Sequence, residues 1–234
     1  MAQRIKKQAI WANREKIQKR KLSRIEKSVH IRPLLLIACE GTQTEPNYLN
    51  SYLYELIRKG VLSARSYVIA PHSHTDPCGV LNDLLSFKKD GLKYSDYERK
   101  WIFIDRDEMR TNESSGHPKD NFNTALSLAE QHQVKVAWSN PCFEFWFLLH
   151  FVYHNTPIDR AELPEKLSSF TGIEYKKNCL KMYEILRDKL VDAIRNAQKL
   201  EEFSTQDPCD ANPMTTVFHF FEENNIATYE DSIH

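Results

Sequence analysis

Glycine is scarce, six in 234 residues, which excludes collagen-like and glycine-rich low-complexity chains. The shortage also bears on chemistry. Neither GxxxxGK[ST] nor GxGxxG occurs, so the backbone loops that cradle phosphates in NTPases and dinucleotide enzymes are not expected. Long hydrophobic runs are missing too. The longest candidate, 143–152, is broken by Glu144 and His150, far short of the ~18 apolar residues a membrane span needs. The first residues are basic with no apolar segment, so no secretory signal is expected. Five cysteines (Cys39, Cys78, Cys142, Cys179, Cys209) are odd in number and never form CxxC. That pattern predicts reduced thiols in a cytoplasmic protein, not a disulfide scaffold. The nearest approach to a zinc pattern is His72-x-His74 with Cys78, and an ordinary βα loop is the expected reading of it.

What is present is an ordinary globular balance, 41% hydrophobic and 27% charged, in a chain long enough for one to two domains. The formal net charge of zero hides a division. Residues 1–32 carry eleven Lys and Arg against two acids, Glu15 and Glu26; the remainder carries an equal surplus of acids. Such an arm suits a polyanion or an acidic protein surface. Ile10, Ile17 and Ile25 recur at seven and eight residues, which predicts a helix with one narrow apolar face. A solvated basic helix is the competing reading. The candidate nucleic-acid contacts are Lys6, Lys7, Arg14, Lys16, Lys19, Arg20, Lys21 and Arg24.

After the arm, strand and helix signals alternate. The apolar run at 34–38 suits a strand buried on both faces, and further strands are expected at 67–70, 101–104 and 134–138. Between them, apolar residues step at helical spacing over 46–57, 77–85 and 120–132, and an aromatic helix at 143–151 follows the fourth strand. Asp76-Pro77 reads as an N-cap followed by a first-turn proline. Four βα units predict an open parallel sheet with helices on both faces. Leu180, Tyr183, Leu186, Leu190, Ile194 and Ala197 step by three or four, predicting one long helix over 178–203, and a last helix is expected at 214–224. The expected division is a basic arm 1–32, an α/β domain 33–155 and a helical part 156–234 packed on it.

Sites in open α/β sheets form outside the carboxyl ends of the strands, and three strands here end in polar residues. The first ends in Glu40-Gly41, the third in Asp105-Arg106-Asp107-Glu108, the fourth in Ser139-Asn140-Pro141, with Glu144 a turn later. Asp105 and Asp107, two apart, share a face of an extended strand end, and Glu40 approaches from a neighbouring strand. Crowded carboxylates with few histidines suit Mg²⁺ or Mn²⁺. Acids are also common in loops, and a salt bridge would explain Glu144 as well as a metal would. Still, a carboxylate on an apolar helix needs some partner. Phe143, Trp138 and Trp146 are available to stack bases, although core packing accounts for at least two of them. His150 and His154 read as core or surface residues.

Leu36-Ile37-Ala38-Cys39-Glu40-Gly41 and Phe103-Ile104-Asp105-Arg106-Asp107 resemble the two motifs of the Toprim domain of primases, topoisomerases and OLD-family nucleases. More closely, the chain resembles the RloB-like family of bacterial defence proteins. The resembling segments are Glu40-Gly41-Thr42-Gln43-Thr44-Glu45-Pro46-Asn47-Tyr48, Asp105-Arg106-Asp107-Glu108, Ser139-Asn140-Pro141-Cys142-Phe143-Glu144-Phe145-Trp146, Leu148-Leu149-His150-Phe151 and Asn212-Pro213-Met214-Thr215. The resemblance implies a Toprim-like open sheet, a Mg²⁺-dependent nuclease, and association with restriction or abortive-infection loci beside an ABC-type or SMC-type ATPase. A third acid often follows the DxD by two residues in topoisomerases; Met109 stands there, and no strand-passing tyrosine is assignable.

The expected site is therefore Glu40, Asp105 and Asp107 as metal ligands, with Glu144 and Lys177 as further catalytic residues. Glu40 would serve as ligand or general acid/base, and Lys177 (or Lys181) would stabilise charge at phosphorus. The expected substrate is RNA, transfer RNA included, or single-stranded DNA. Two other classes use the same residues: a non-catalytic sensor or regulatory subunit of a defence complex, and phosphotransfer on a nucleotide.

Overall fold

The computed structural model describes residues 35–63, 66–71, 73–106, 118–204 and 206–224. The basic arm, with all eight of its proposed contacts, lies outside the described residues, as do His72 and Asp107. The described residues belong to one compact unit, Leu34–His234.

Five strands make the main sheet, in the order β2–β1–β5–β6–β7. These are β1 (Leu35–Cys39), β2 (Tyr67–Ile69), β5 (Arg99–Asp105), β6 (Lys135–Asn140) and β7 (Met214–Thr215). The first four are parallel, and β7 pairs antiparallel with β6 through Ser139↔Thr215 and Asn140↔Met214. Every residue of β1 is buried, as its unbroken apolar run requires of a strand covered on both faces. The helices are α1 (Thr44–Arg58), α2 (Pro77–Ser86), α3 (Lys119–Gln131), α4 (Glu144–Leu149), α5 (Leu163–Thr171), α6 (Met182–Leu186), α7 (Leu190–Phe203) and α8 (Phe218–Glu223). Asp76 caps α2 as expected, its carboxylate accepting from the Gly79 amide at 3.0 Å.

Three expectations are corrected. The helix expected over 178–203 is broken. Met182, Tyr183 and Leu186 of α6 are buried against α1, whereas Leu190, Ala193, Ile194 and Ala197 of α7 face α4 and β7. One straight stripe cannot face both, so a 3₁₀ turn at Arg187–Lys189 redirects the chain, and Leu180 is left 69% exposed. The last helix starts at Phe218, because Met214–Thr215 form the edge strand. Through that strand the C-terminal part joins the sheet, pairing with β6. A small hairpin, β3 (Lys88–Lys89) and β4 (Leu92–Lys93), was not expected. Asp90 and Gly91 both have positive φ, 52° and 84°, the turn that an Asp-Gly pair favours.

The core is aromatic. Phe103 of β5 meets Phe220 of α8 at 5.2 Å between ring centroids, Tyr52 of α1 meets Phe221 at 4.8 Å, and Trp146 of α4 stacks on Phe221 at 5.4 Å. Phe221 therefore bridges two helices, and Phe221→Ala is expected to cost about 3–5 kcal/mol, measured by urea unfolding. Trp138, Phe143 and Trp146 are all buried and pack the core; of the three, Phe143 also lines the pocket at the carboxyl ends of the strands. His150 is also a core residue, its Nδ1 3.0 Å from the Trp146 carbonyl oxygen and its Nε2 3.2 Å from the Tyr48 hydroxyl. Burial pushes its pKa down to about 3, so it stays neutral. The five thiols are free, as expected.

Candidate active site

The chain leaves β1 toward β2 on one side and returns through β5 on the other. The carboxyl ends of β1 and β5 therefore flank the point where strand order reverses, the usual place for a site in such sheets. Glu40 follows β1 and Asp105 ends β5. The register joins them: the Glu40 amide donates to the Phe103 carbonyl at 2.9 Å, and Glu40 Oε2 accepts from the Asp105 amide at 3.0 Å. The two acids separated by 65 residues in the chain are thus held together by backbone geometry.

Two more acids complete the pocket. Glu45, in the first turn of α1, is 3% exposed, and Glu144, opening α4, is 4% exposed. Glu45 Oε1 accepts from the Gly41 amide at 3.1 Å. The approach is close enough that a Cβ on Gly41 would lie 2.1 Å from Glu45 Oε2, so a larger residue there must displace this carboxylate. Gly41→Ala is expected to cost about 1–3 kcal/mol, since it displaces a buried hydrogen-bonded carboxylate. In a Glu45→Ala background, where the space is vacated, the cost should nearly vanish; thermal melts of the four proteins of that cycle check it.

Among the described residues, Glu144 finds hydroxyl partners. Its Oε1 accepts from the Tyr175 hydroxyl at 2.9 Å and lies 3.4 Å from the Thr44 hydroxyl. Burial and the charge of Glu144 raise the Tyr175 pKa, so the phenol keeps its proton and remains a donor. Thr44 Oγ1 is also 3.4 Å from the Lys177 carbonyl, which ties the segment carrying Lys177 to the start of α1. A pocket of about 280 Å³ is lined by Glu40, Glu45, Asp105 and Glu144 together with Arg160 and Lys177.

The electrostatics follow from this crowding. Burial pushes the Glu45 pKa up to about 7, helped by the charges of Glu144 and Glu40 and opposed by its backbone hydrogen bonds. Asp105 is raised well above the usual carboxylate range, first by burial, then by Glu45, Glu40 and Glu144, while Arg160 pulls it down. The crowding that raises Glu45 and Asp105 in this way is what a cation would relieve. The donors are all oxygens, which fits a hard divalent ion. Among the described residues no three of His, Cys, Asp and Glu converge into a ready ligand set; Asp107 lies outside those residues. The weak zinc pattern has other partners: His74 Nδ1 is 2.8 Å from Asp83 Oδ1, and the Cys78 thiol donates to the Asn121 carbonyl at 3.2 Å.

The family described as RloB-like protein matches residues 35–223. The chain belongs to the RloB-like family. No curated protein and no solved structure matches it. The family match takes in all four carboxylates, Arg160 and Lys177. The mostly parallel sheet flanked by helices is consistent with an open α/β, Toprim-like fold.

Of the expected site, the structure brings Glu40, Asp105, Glu144 and Lys177 of this RloB-like chain to one pocket. Arg106, between the two acids of the DxD, is buried on the other side, its Nε donating to the Cys209 carbonyl at 2.9 Å. Sequence reasoning missed Glu45 and Arg160. Glu45 had a signal: it lies on the same helical stripe as Tyr48, Leu49 and Tyr52, where an acid is out of place. Arg160 had none, because it reaches the pocket from a loop distant in the chain.

Proposed function

We propose that this RloB-like chain is a divalent-metal-dependent nuclease that hydrolyses phosphodiesters of RNA, transfer RNA included, or single-stranded DNA. The observation that carries the reading is the meeting of Glu40 and Asp105 at the switch point, inside a pocket with two further buried carboxylates. Glu40 and Asp105 would hold Mg²⁺ or Mn²⁺, with Asp107 as a third ligand. Such an ion, when bound, polarises a phosphoryl oxygen and lowers the pKa of a water.

The chain's own residues supply the rest. Hydrolysis forms a bond from the water oxygen to phosphorus and breaks one phosphorus–oxygen ester bond. The water gives one proton to a carboxylate of the site that does not hold the ion, and the leaving oxygen takes up one proton from solvent. Lys177 offsets charge at the pentacovalent phosphorus. Thr44 and Tyr175 hold Glu144 in one orientation within the pocket.

Family membership supports a role in bacterial antiphage defence, in the cytoplasm, with an ABC-type or SMC-type ATPase as partner. No helix among the described residues is long and apolar enough to cross a membrane. The test is a cleavage panel of transfer RNA, single-stranded RNA, single-stranded DNA and plasmid, with Mg²⁺, Mn²⁺ or EDTA, with and without the neighbouring ATPase. Metal-dependent cutting of one polymer is expected. No cutting under any condition would overturn the reading and leave a regulatory subunit.

A further inference from the structure

The carboxylate pocket carries two positive side chains, Arg160 and Lys177. Their settings differ. Lys177 is exposed on the segment tied down by Thr44. Arg160 is only partly exposed, and its backbone is fixed from both sides. It opens a 3₁₀ turn, Arg160–Glu162, whose cap residue Asp159 accepts from the Ala161 amide at 2.7 Å, while the Asp159 amide donates to Glu162 Oε1 at 3.1 Å. The preceding Ile158 is buried. Its amide donates to Asn212 Oδ1 at 3.2 Å, and its carbonyl accepts from Asn212 Nδ2 at 3.4 Å. A side chain reaching into a functional pocket from a doubly capped turn is pre-positioned, so little ordering is lost when it binds a ligand.

Charge arithmetic shows what such a cation is for. Among the described residues, four carboxylates, counted as ionised, and two basic side chains line the pocket, a balance of minus two to which Asp107 would add a further negative charge. One divalent cation offsets most of that charge, and a phosphodiester then meets far less repulsion. Remove one basic side chain and the metal-loaded pocket is one unit more negative toward the same phosphate. The guanidinium also offers a planar fork that matches two phosphate oxygens, which an ammonium does not.

We infer that Arg160 is a substrate-binding residue that clamps the phosphate of a single-stranded nucleic acid in the carboxylate pocket. The inference rests on the nuclease reading and assigns it a phosphate-recognition residue. It also predicts that binding and cutting separate: Arg160 contributes whether or not the bond breaks.

The test uses the full chain with Ca²⁺ in place of Mg²⁺ and a short fluorescein-labelled single-stranded oligonucleotide, followed by anisotropy across a salt series. Arg160→Gln is expected to weaken binding at least ~10-fold and to lower the slope of log affinity against log salt by about 0.7, the signature of one lost phosphate contact on a single strand. Arg160→Lys should keep the slope and lose part of the affinity, because charge survives and the fork does not; it is also the variant least able to disturb folding. Wild-type affinity and slope in Arg160→Gln, in a protein whose wild type cuts, would overturn the inference and leave the nuclease reading standing. A wild type that neither binds nor cuts would overturn both.

Discussion

Asp105→Asn is expected to lower cleavage by roughly 10³-fold, the scale on which enzymes lose rate when a preorganised charge at the reacting centre is removed. The same substitution is expected to raise the melting temperature of the metal-free protein. Both effects have one cause. Asp105 is buried beside Glu45, Glu40 and Glu144, and its ionisation is opposed by all three. The neutral amide keeps the shape and removes the repulsion. Its backbone amide still donates to Glu40, so the β1–β5 junction survives. Activity lost with stability gained is a pair that misfolding cannot imitate, and it is the expected trade where a functional site stores unfavourable charge. Steady-state cleavage and thermal melts in EDTA check it together; a variant that keeps wild-type activity removes Asp105 from the site.

Glu45→Gln is expected to stabilise the metal-free protein at pH 8 and to make little difference near pH 4.5. A free glutamate titrates near 4.5, and in this pocket Glu45 is pushed up to about 7. Between those values the folded state holds a proton that the unfolded chain has released. Stability therefore falls as pH rises through the window, and the cost is complete above about 7. The window corresponds to about 3 kcal/mol, and the glutamine variant does not incur it. His150 titrates in the opposite sense. It is neutral in the core with a pKa near 3, so acid destabilises the fold as the unfolded chain takes up that proton. Both proteins share His150, so the difference between them isolates Glu45. Urea unfolding in EDTA at the two pH values measures it. An equal difference at both would show that Glu45 ionises without penalty. Millimolar Mg²⁺ should shrink the difference at pH 8, because a cation in the pocket offsets the repulsion.

Much of this was legible in the sequence for identifiable reasons. Continuous apolar runs fix a parallel sheet, since only strands covered on both faces tolerate them, and Glu40 and Asp105 stand where such runs stop. Their proximity follows from topology, not from their separation along the chain. Glu144 was visible as a carboxylate on an apolar helix, but its hydroxyl partners were not: Tyr175 comes from a loop with no periodicity. The long helix over 178–203 misled because its stripe continues in step across a break. Spacing records which residues are buried and not which neighbour buries them. Met214–Thr215 was too short to show an alternation, and an edge strand of two residues is defined by the β6 strand it meets. Asp90-Gly91 did carry a hairpin signal, obscured because its flanks are lysines rather than alternating apolar residues.

The central claim is that the acids at the carboxyl ends of β1 and β5 hold a divalent cation. Its most direct test is a Mn²⁺ titration of the purified chain followed by electron paramagnetic resonance, beside the Glu40→Gln/Asp105→Asn double variant. The account predicts saturable binding in the wild type that Mg²⁺ displaces, and loss of that binding in a folded double variant. Equal Mn²⁺ binding by both proteins, or none by the wild type, would contradict it.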